Sequence, residues 1–204
     1  MSAAFLSGFI TGGGLIIAVG AQNAFLLEQA LKRHWALSIA ILFMISDTLS
    51  ISLGALGIGA LIKSYPILLE VTRIAGVLFL TYFGLSRIKA SFANEALLLS
   101  KAKAKLPLGL LLTTAMAVTW LNPHFYLDTL ILMGSLANQW QDNTYQFIMG
   151  GVSASVLWFL TLTLIGRLLA PYLEKASFWR WLNRFNGTLV IFIAIQITLM
   201  SFPE

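Results

Sequence analysis

The chain has 204 residues, 58% of them hydrophobic and 10% charged, with a mean hydropathy of +0.85, a composition that excludes an ordinary water-soluble domain. It has no cysteine, so disulfides, iron–sulfur ligation and thiol catalysis are excluded together. The isoelectric point of 9.7 could signal nucleic acid, but the basic residues lie between apolar runs, where they mark the cytoplasmic flanks of a membrane protein; no nucleic-acid partner is expected.

Uninterrupted apolar runs predict helices over 4–27, 36–62, 67–87, 107–137, 146–169 and 182–201, each near the roughly 20 residues that a bilayer core of about 30 Å requires. The expected fold class is therefore an all-α membrane protein of six transmembrane helices. The first run, Phe5 to Leu27, has neither a basic leader before it nor a small-residue cleavage pattern after it, and is expected to be retained as a span. The loops after the first, third and fifth runs hold Lys32, Arg33, Arg87, Lys89, Lys101, Lys103, Lys105, Arg167, Lys175, Arg180 and Arg184. The other side has Lys63 and Arg73, a division of 11 against 2. The positive-inside rule puts the basic loops in the cytoplasm and both termini outside. The longest connection, Ser91 to Lys105, reads as a cytoplasmic linker or short surface helix.

The two halves echo one another. Asn23-Ala-Phe in the first span matches Asn122-Pro-His-Phe in the fourth, Ser46-Asp-Thr in the second matches Ser153-Ala-Ser in the fifth, and Arg73-x-x-Gly76 in the third matches Arg184-x-x-Gly187 in the sixth. Three spans per half is an odd number, so the second half must enter the membrane upside down. That makes the chain a single transmembrane domain of two inverted-topology three-helix repeats, about 1–90 and 106–204, joined by a linker at about 91–105. Secondary transporters built this way bind substrate near the midplane on broken helices.

Charges inside a span are expensive, at least ~2.5–3.5 kcal/mol on insertion scales, and so mark function by default. Asp47 lies near the middle of the second run and Asp128 just beyond a break in the fourth. Glu70 and Arg73, near an outer end, read as a mutual pair or as snorkelling side chains. Pro123 lacks an amide donor and clashes with the preceding turn, so Leu121-Asn122-Pro123-His124 is expected to open the fourth span and free carbonyls around Val118 and Thr119. A half-helix beginning near Asn122 would offer free amides to a carboxylate, and Gln22 and Asn23, which follow glycines at 12, 13, 14 and 20, could do the same in the first repeat. His124 could relay protons or serve as a helix cap. The tryptophans at 120, 140, 158, 179 and 181 are scattered as an interfacial belt would be. No HExxH pair, P-loop, Gly-x-Ser-x-Gly elbow or second histidine near His124 is present, so neither a metal nor a cofactor is expected.

Gly20-Ala-Gln-Asn-Ala-Phe25, Ser46-Asp47 and the run from Ala117 to Thr129 resemble the LysE family of bacterial amino acid exporters. With Gly134-Ser-Leu and the segment 153–159, the chain is most similar to the family's arginine-exporting branch, although Ala21 stands where the family's first motif usually has proline. The resemblance implies proton-driven export of L-arginine, with lysine and canavanine as further substrates, across a bacterial inner membrane. The expected substrate-binding residues are Gln22, Asn23, Asp47, Asn122, Pro123, His124 and Asp128, with Asp47 and Asp128 also exchanging protons. The expected partners are an amino acid, protons and lipid, and a monomer and a homodimer are both compatible with the sequence. Competing functions are export of neutral amino acids such as homoserine or threonine, an intramembrane enzyme using His124 with Asp128 as general base, and divalent-cation export. The last two lack a nucleophile and a sufficient ligand set respectively, so no enzyme is expected.

Overall fold

The computed structural model describes residues 2–17, 20–57, 66–94, 106–170 and 175–199, and every regular element among them is helical. In chain order these are α1 (Ala3–Ile17), α2 (Ala21–Leu31), α3 (Ala36–Ala55), α4 (Pro66–Ser91), α5 (Leu108–Trp120) and the single turn α6 (Pro123–Phe125). A π-helical segment follows (Tyr126–Leu132), then α7 (Met133–Asn138), a 3-10 turn (Gln141–Asn143), α8 (Thr144–Leu169) and α9 (Ala176–Leu199). Three stretches, Ala36–Ala55, Gln141–Leu169 and Ala176–Leu199, are each long and apolar enough to cross a membrane. α1 and α2 make a fourth when counted as one bent span.

The side-chain distribution is inverted relative to a soluble bundle. On α3, Ile41, Ile45 and Leu49 recur every four residues and face outward, while Ser46, Asp47 and Ser50 are buried. On α4 an outward stripe runs through Val71, Ile74, Leu78, Tyr82 and Leu85. Apolar faces outward and polar groups inward are what lipid imposes, because a polar side chain there finds a partner only inside the bundle.

Helix packing rests on small residues. A Cβ added to Gly8 of α1 would lie 2.0 Å from the Phe147 carbonyl oxygen of α8, and one added to Gly150 would lie 2.1 Å from the Phe5 carbonyl oxygen. Only glycine permits that backbone approach, and close approach supplies the dispersion energy that replaces the hydrophobic effect between helices in lipid. α4 and α9 cross similarly, Gly84 facing the Gly187 carbonyl and Gly187 the Gly84 carbonyl. Gly76, by contrast, sits against Leu121 and Pro123 at the break in the fourth run. Gly76 and Gly187, matched by the Arg-x-x-Gly echo, therefore have different surroundings. Arg73 and Glu70 form the expected i,i+3 ion pair.

Several helix limits differ from the apolar runs. The second run continues to residue 62, yet α3 stops at Ala55. Leu56 closes it and Gly57 follows at φ +91°, a left-handed conformation that favours glycine and ends the helix; residues 58–62 lie outside the described ones. The sixth begins earlier, at Ala176, because Trp179 and Leu182 pack against Leu31 of α2. The segment 95–105 of the expected linker also lies outside the described residues. The first run is two helices whose axes differ by 74°. Ala21 does not prevent the break: Gly20 is extended, at φ −134° and ψ 176°, and α2 starts immediately after it.

Candidate functional site

The two breaks face one cavity of about 230 Å³. The end of α1 gives Leu15 and Ile16, and the start of α2 gives Gly20, Gln22 and Asn23. Asp47 comes from α3, while Asn122, His124, Phe125, Asp128 and Thr129 come from the fourth run and Ile193 and Gln196 from α9. Six of the seven residues singled out from sequence thus share one space. Pro123 is the exception: it is buried behind the cavity at the first position of α6, towards Gly76 of α4.

Asp47 is 2% exposed, and its Oδ2 accepts a hydrogen bond from Ser155 Oγ of α8 at 2.6 Å. Its neighbour Ser46 accepts one from Trp120 Nε1 at 3.2 Å, which fixes the end of α5 against α3. The break in the fourth run is built by Asn122 and Pro123 together. Asn122 is extended, its Oδ1 accepts from the His124 amide at 3.1 Å, and its carbonyl accepts from the Phe125 amide at 3.0 Å. The Tyr126 amide reaches the Pro123 carbonyl. The amides expected to be free for a carboxylate at this turn are therefore all engaged, because Asn122 caps the turn that Pro123 starts. Beyond it the chain winds as a π-helix, the Met133 amide reaching Asp128 across five residues, and within this wider coil Asp128 and Thr129 line the cavity. Tyr126 closes the gap upstream by donating its hydroxyl to the Trp120 carbonyl at 2.7 Å.

The first break is different. No side chain among the described residues caps α2, and Gly20, Gln22 and Asn23 at that end all line the cavity. Asn23 spans the break: its Nδ2 donates to the Ile16 carbonyl of α1 at 2.9 Å, and its Oδ1 accepts from Trp158 Nε1 of α8 at 3.1 Å. Gln22 donates to Thr119 Oγ1 at 3.1 Å and so ties the two broken runs together.

The sequence reading missed Gln196 and Thr129 as lining residues, and Trp158 and Thr119 as partners of the two amides. Gln196 did leave a trace, as a lone amide in the apolar run Ile193–Leu199.

A helical bundle that is apolar outside, with a small polar chamber between two broken runs, defines a multi-pass membrane transporter. The family described as LysE type translocator matches residues 14–201, and the chain belongs to that family. It is 37% identical over 198 residues to the arginine exporter protein ArgO of Pectobacterium atrosepticum, covering 97% of each chain, and matches that of Serratia proteamaculans to the same extent. To the ArgO of Salmonella enteritidis it is 38% identical over 194 residues, 95% of this chain and 92% of the relative. No solved structure matches the chain.

Proposed function

We propose that this protein exports L-arginine, and with it lysine and canavanine, across the bacterial inner membrane in exchange for protons. The observation that carries the reading is the charge of the chamber: its described lining has two carboxylates, Asp47 and Asp128, and no lysine or arginine. An acidic chamber of that size suits a single cationic metabolite, since drug-sized sites run to about 300–1,000 Å³. The arginine exporters among the relatives support the same substrate. Asp47 takes the guanidinium, the uncapped start of α2 takes the carboxylate, and Asp128 with His124 gives protons a second station. Moving one positive charge outward against 100 mV costs about 2.3 kcal/mol, so net export needs a driver, and inward proton movement supplies it.

The spans form two inverted repeats, giving one domain with its basic loops in the cytoplasm. The pairing of whole spans supports the two-repeat arrangement: exchanging one, two and three with four, five and six maps the packing of the bent first span on α8 onto that of the broken fourth on α3, its packing on α3 onto that of the fourth on α8, and its packing on α9 onto that of the fourth on α4, while α4–α9 and α3–α8 map onto themselves. Reporter fusions at Glu204 and within 95–105 are expected to report opposite sides of the membrane; the same side for both overturns the six-span arrangement.

Counterflow in proteoliposomes tests the substrate. Labelled arginine is expected to exchange fastest, lysine more slowly and threonine not at all. Faster exchange of threonine than arginine would establish the neutral-exporter alternative instead.

A further inference from the structure

Between the chamber residues and the basic loops lies an apolar layer, in which Phe43 and Phe159 pack with ring centroids 5.4 Å apart and Phe25 meets Phe83 at 6.1 Å. Behind that layer lies a charge cluster with no part in the site above. Glu28 is five residues along α2 from Asn23, roughly 8 Å at the helical rise, and only 2% exposed. Its Oε1 accepts from Lys32 Nζ at 2.7 Å and from Arg87 Nη1 of α4 at 2.6 Å. The Arg87 guanidinium lies 4.7 Å from the Phe83 ring centre, and Lys32 lies 6.0 Å from that of Trp179.

A buried ion pair stabilises a fold little better than apolar residues of the same volume, so stability alone does not account for this one. Here the carboxylate already holds a guanidinium and an ammonium, each beside an aromatic ring, and these are the head groups of arginine and lysine. The adjacent Gln29 is 1% exposed, and neither its Nε2 nor its Oε1 has a hydrogen-bond partner among the described residues. An orphaned buried amide is costly, and an opening at this end of α2 relieves it.

We propose that Glu28 is a cytoplasmic loading site, where the side chain of an arriving cationic amino acid displaces Arg87 from the carboxylate and parts α2 from α4, opening the way to the chamber. The proposal rests on the export of a cationic amino acid argued above and on the cytoplasmic placement of the basic loops. Displacement is a competition, and it gives two variants effects of opposite sign. Glu28→Gln combined with Arg87→Gln removes both charges of that pair together and leaves Lys32, whose side chain is 12% exposed, as the one charge of the cluster. In vesicles of known orientation, it is expected to raise the half-saturating arginine concentration at the cytoplasmic face about tenfold, as for one lost charge-assisted hydrogen bond, leaving the external face unchanged. Arg87→Lys replaces the resident fork with a weaker point contact and is expected to lower the cytoplasmic value about threefold. An unchanged cytoplasmic value in both variants, or a rise in Arg87→Lys, overturns the proposal; if the double variant does not fold, Arg87→Lys alone decides it. Wild-type vesicles that exchange no arginine refute the transport reading itself, a result distinguishable from failure of the Glu28 site alone.

Discussion

Asp47→Asn is expected to abolish arginine export, lowering the rate about a hundredfold or more, while the protein folds at least as well as the wild type. The substitution keeps the volume and one acceptor oxygen, so Ser155 Oγ still has its partner. What it removes is a charge held at 2% exposure with one hydroxyl donating to it, an arrangement that helps a substrate far more than it helps the fold. A loss of a hundredfold corresponds to about 2.7 kcal/mol, within the range for a hydrogen bond to a charged group. Export by Asp47→Glu should be partial, because the carboxylate remains but is displaced by a methylene in a packed site. The measurements are the initial rate of export across a series of pH values and the melting temperature in detergent. If Asp47→Asn exports at the normal rate with the normal pH dependence, Asp47 is structural and Asp128 takes the coupling role.

What could be read from sequence, and what could not, divides along a physical line. A lone carboxylate in an apolar run is conspicuous because lipid makes it expensive, so Asp47 stood out without any structure. Pro123 is equally legible, since the missing amide is a covalent property of the residue. The first break has no such marker, for Gly20 permits an extended backbone without demanding it. The π-helical winding at Tyr126–Leu132 has no local signature either, and it follows from how the fourth run resumes after α6. Glu28 sits where an apolar run gives way to polar residues and reads as the start of a loop. Its burial depends on Arg87, 59 positions away, and on a helix packing that local pattern does not encode. The engaged amides after Asn122 follow the same logic: proline opens the helix, but whether the new end stays free depends on the side chain before it.

Asn23 carries the second large effect, because it does for the first break what Asn122 does for the second, by a different route. Its carboxamide donates to the last turn of α1 and accepts from Trp158 of α8, so one side chain holds both halves of a bent span against a third helix. Asn23→Leu preserves the approximate size and removes both bonds, leaving the part-buried Ile16 carbonyl and Trp158 indole N–H without those partners. At about 1–3 kcal/mol for each of the two groups, a loss of roughly 2–6 kcal/mol of stability is expected, visible as a lower melting temperature, and export should fall at least about thirtyfold as the α1–α2 angle relaxes. Trp158→Phe removes only the bond to the Asn23 oxygen and is expected to cost about 1 kcal/mol with export reduced only a few-fold. The order of the two variants is the decisive observation. If Asn23→Leu melts like the wild type yet loses export, Asn23 acts on the substrate and not on the bend; if Trp158→Phe is the more damaging, the indole packs a wall of the chamber and the carboxamide is secondary.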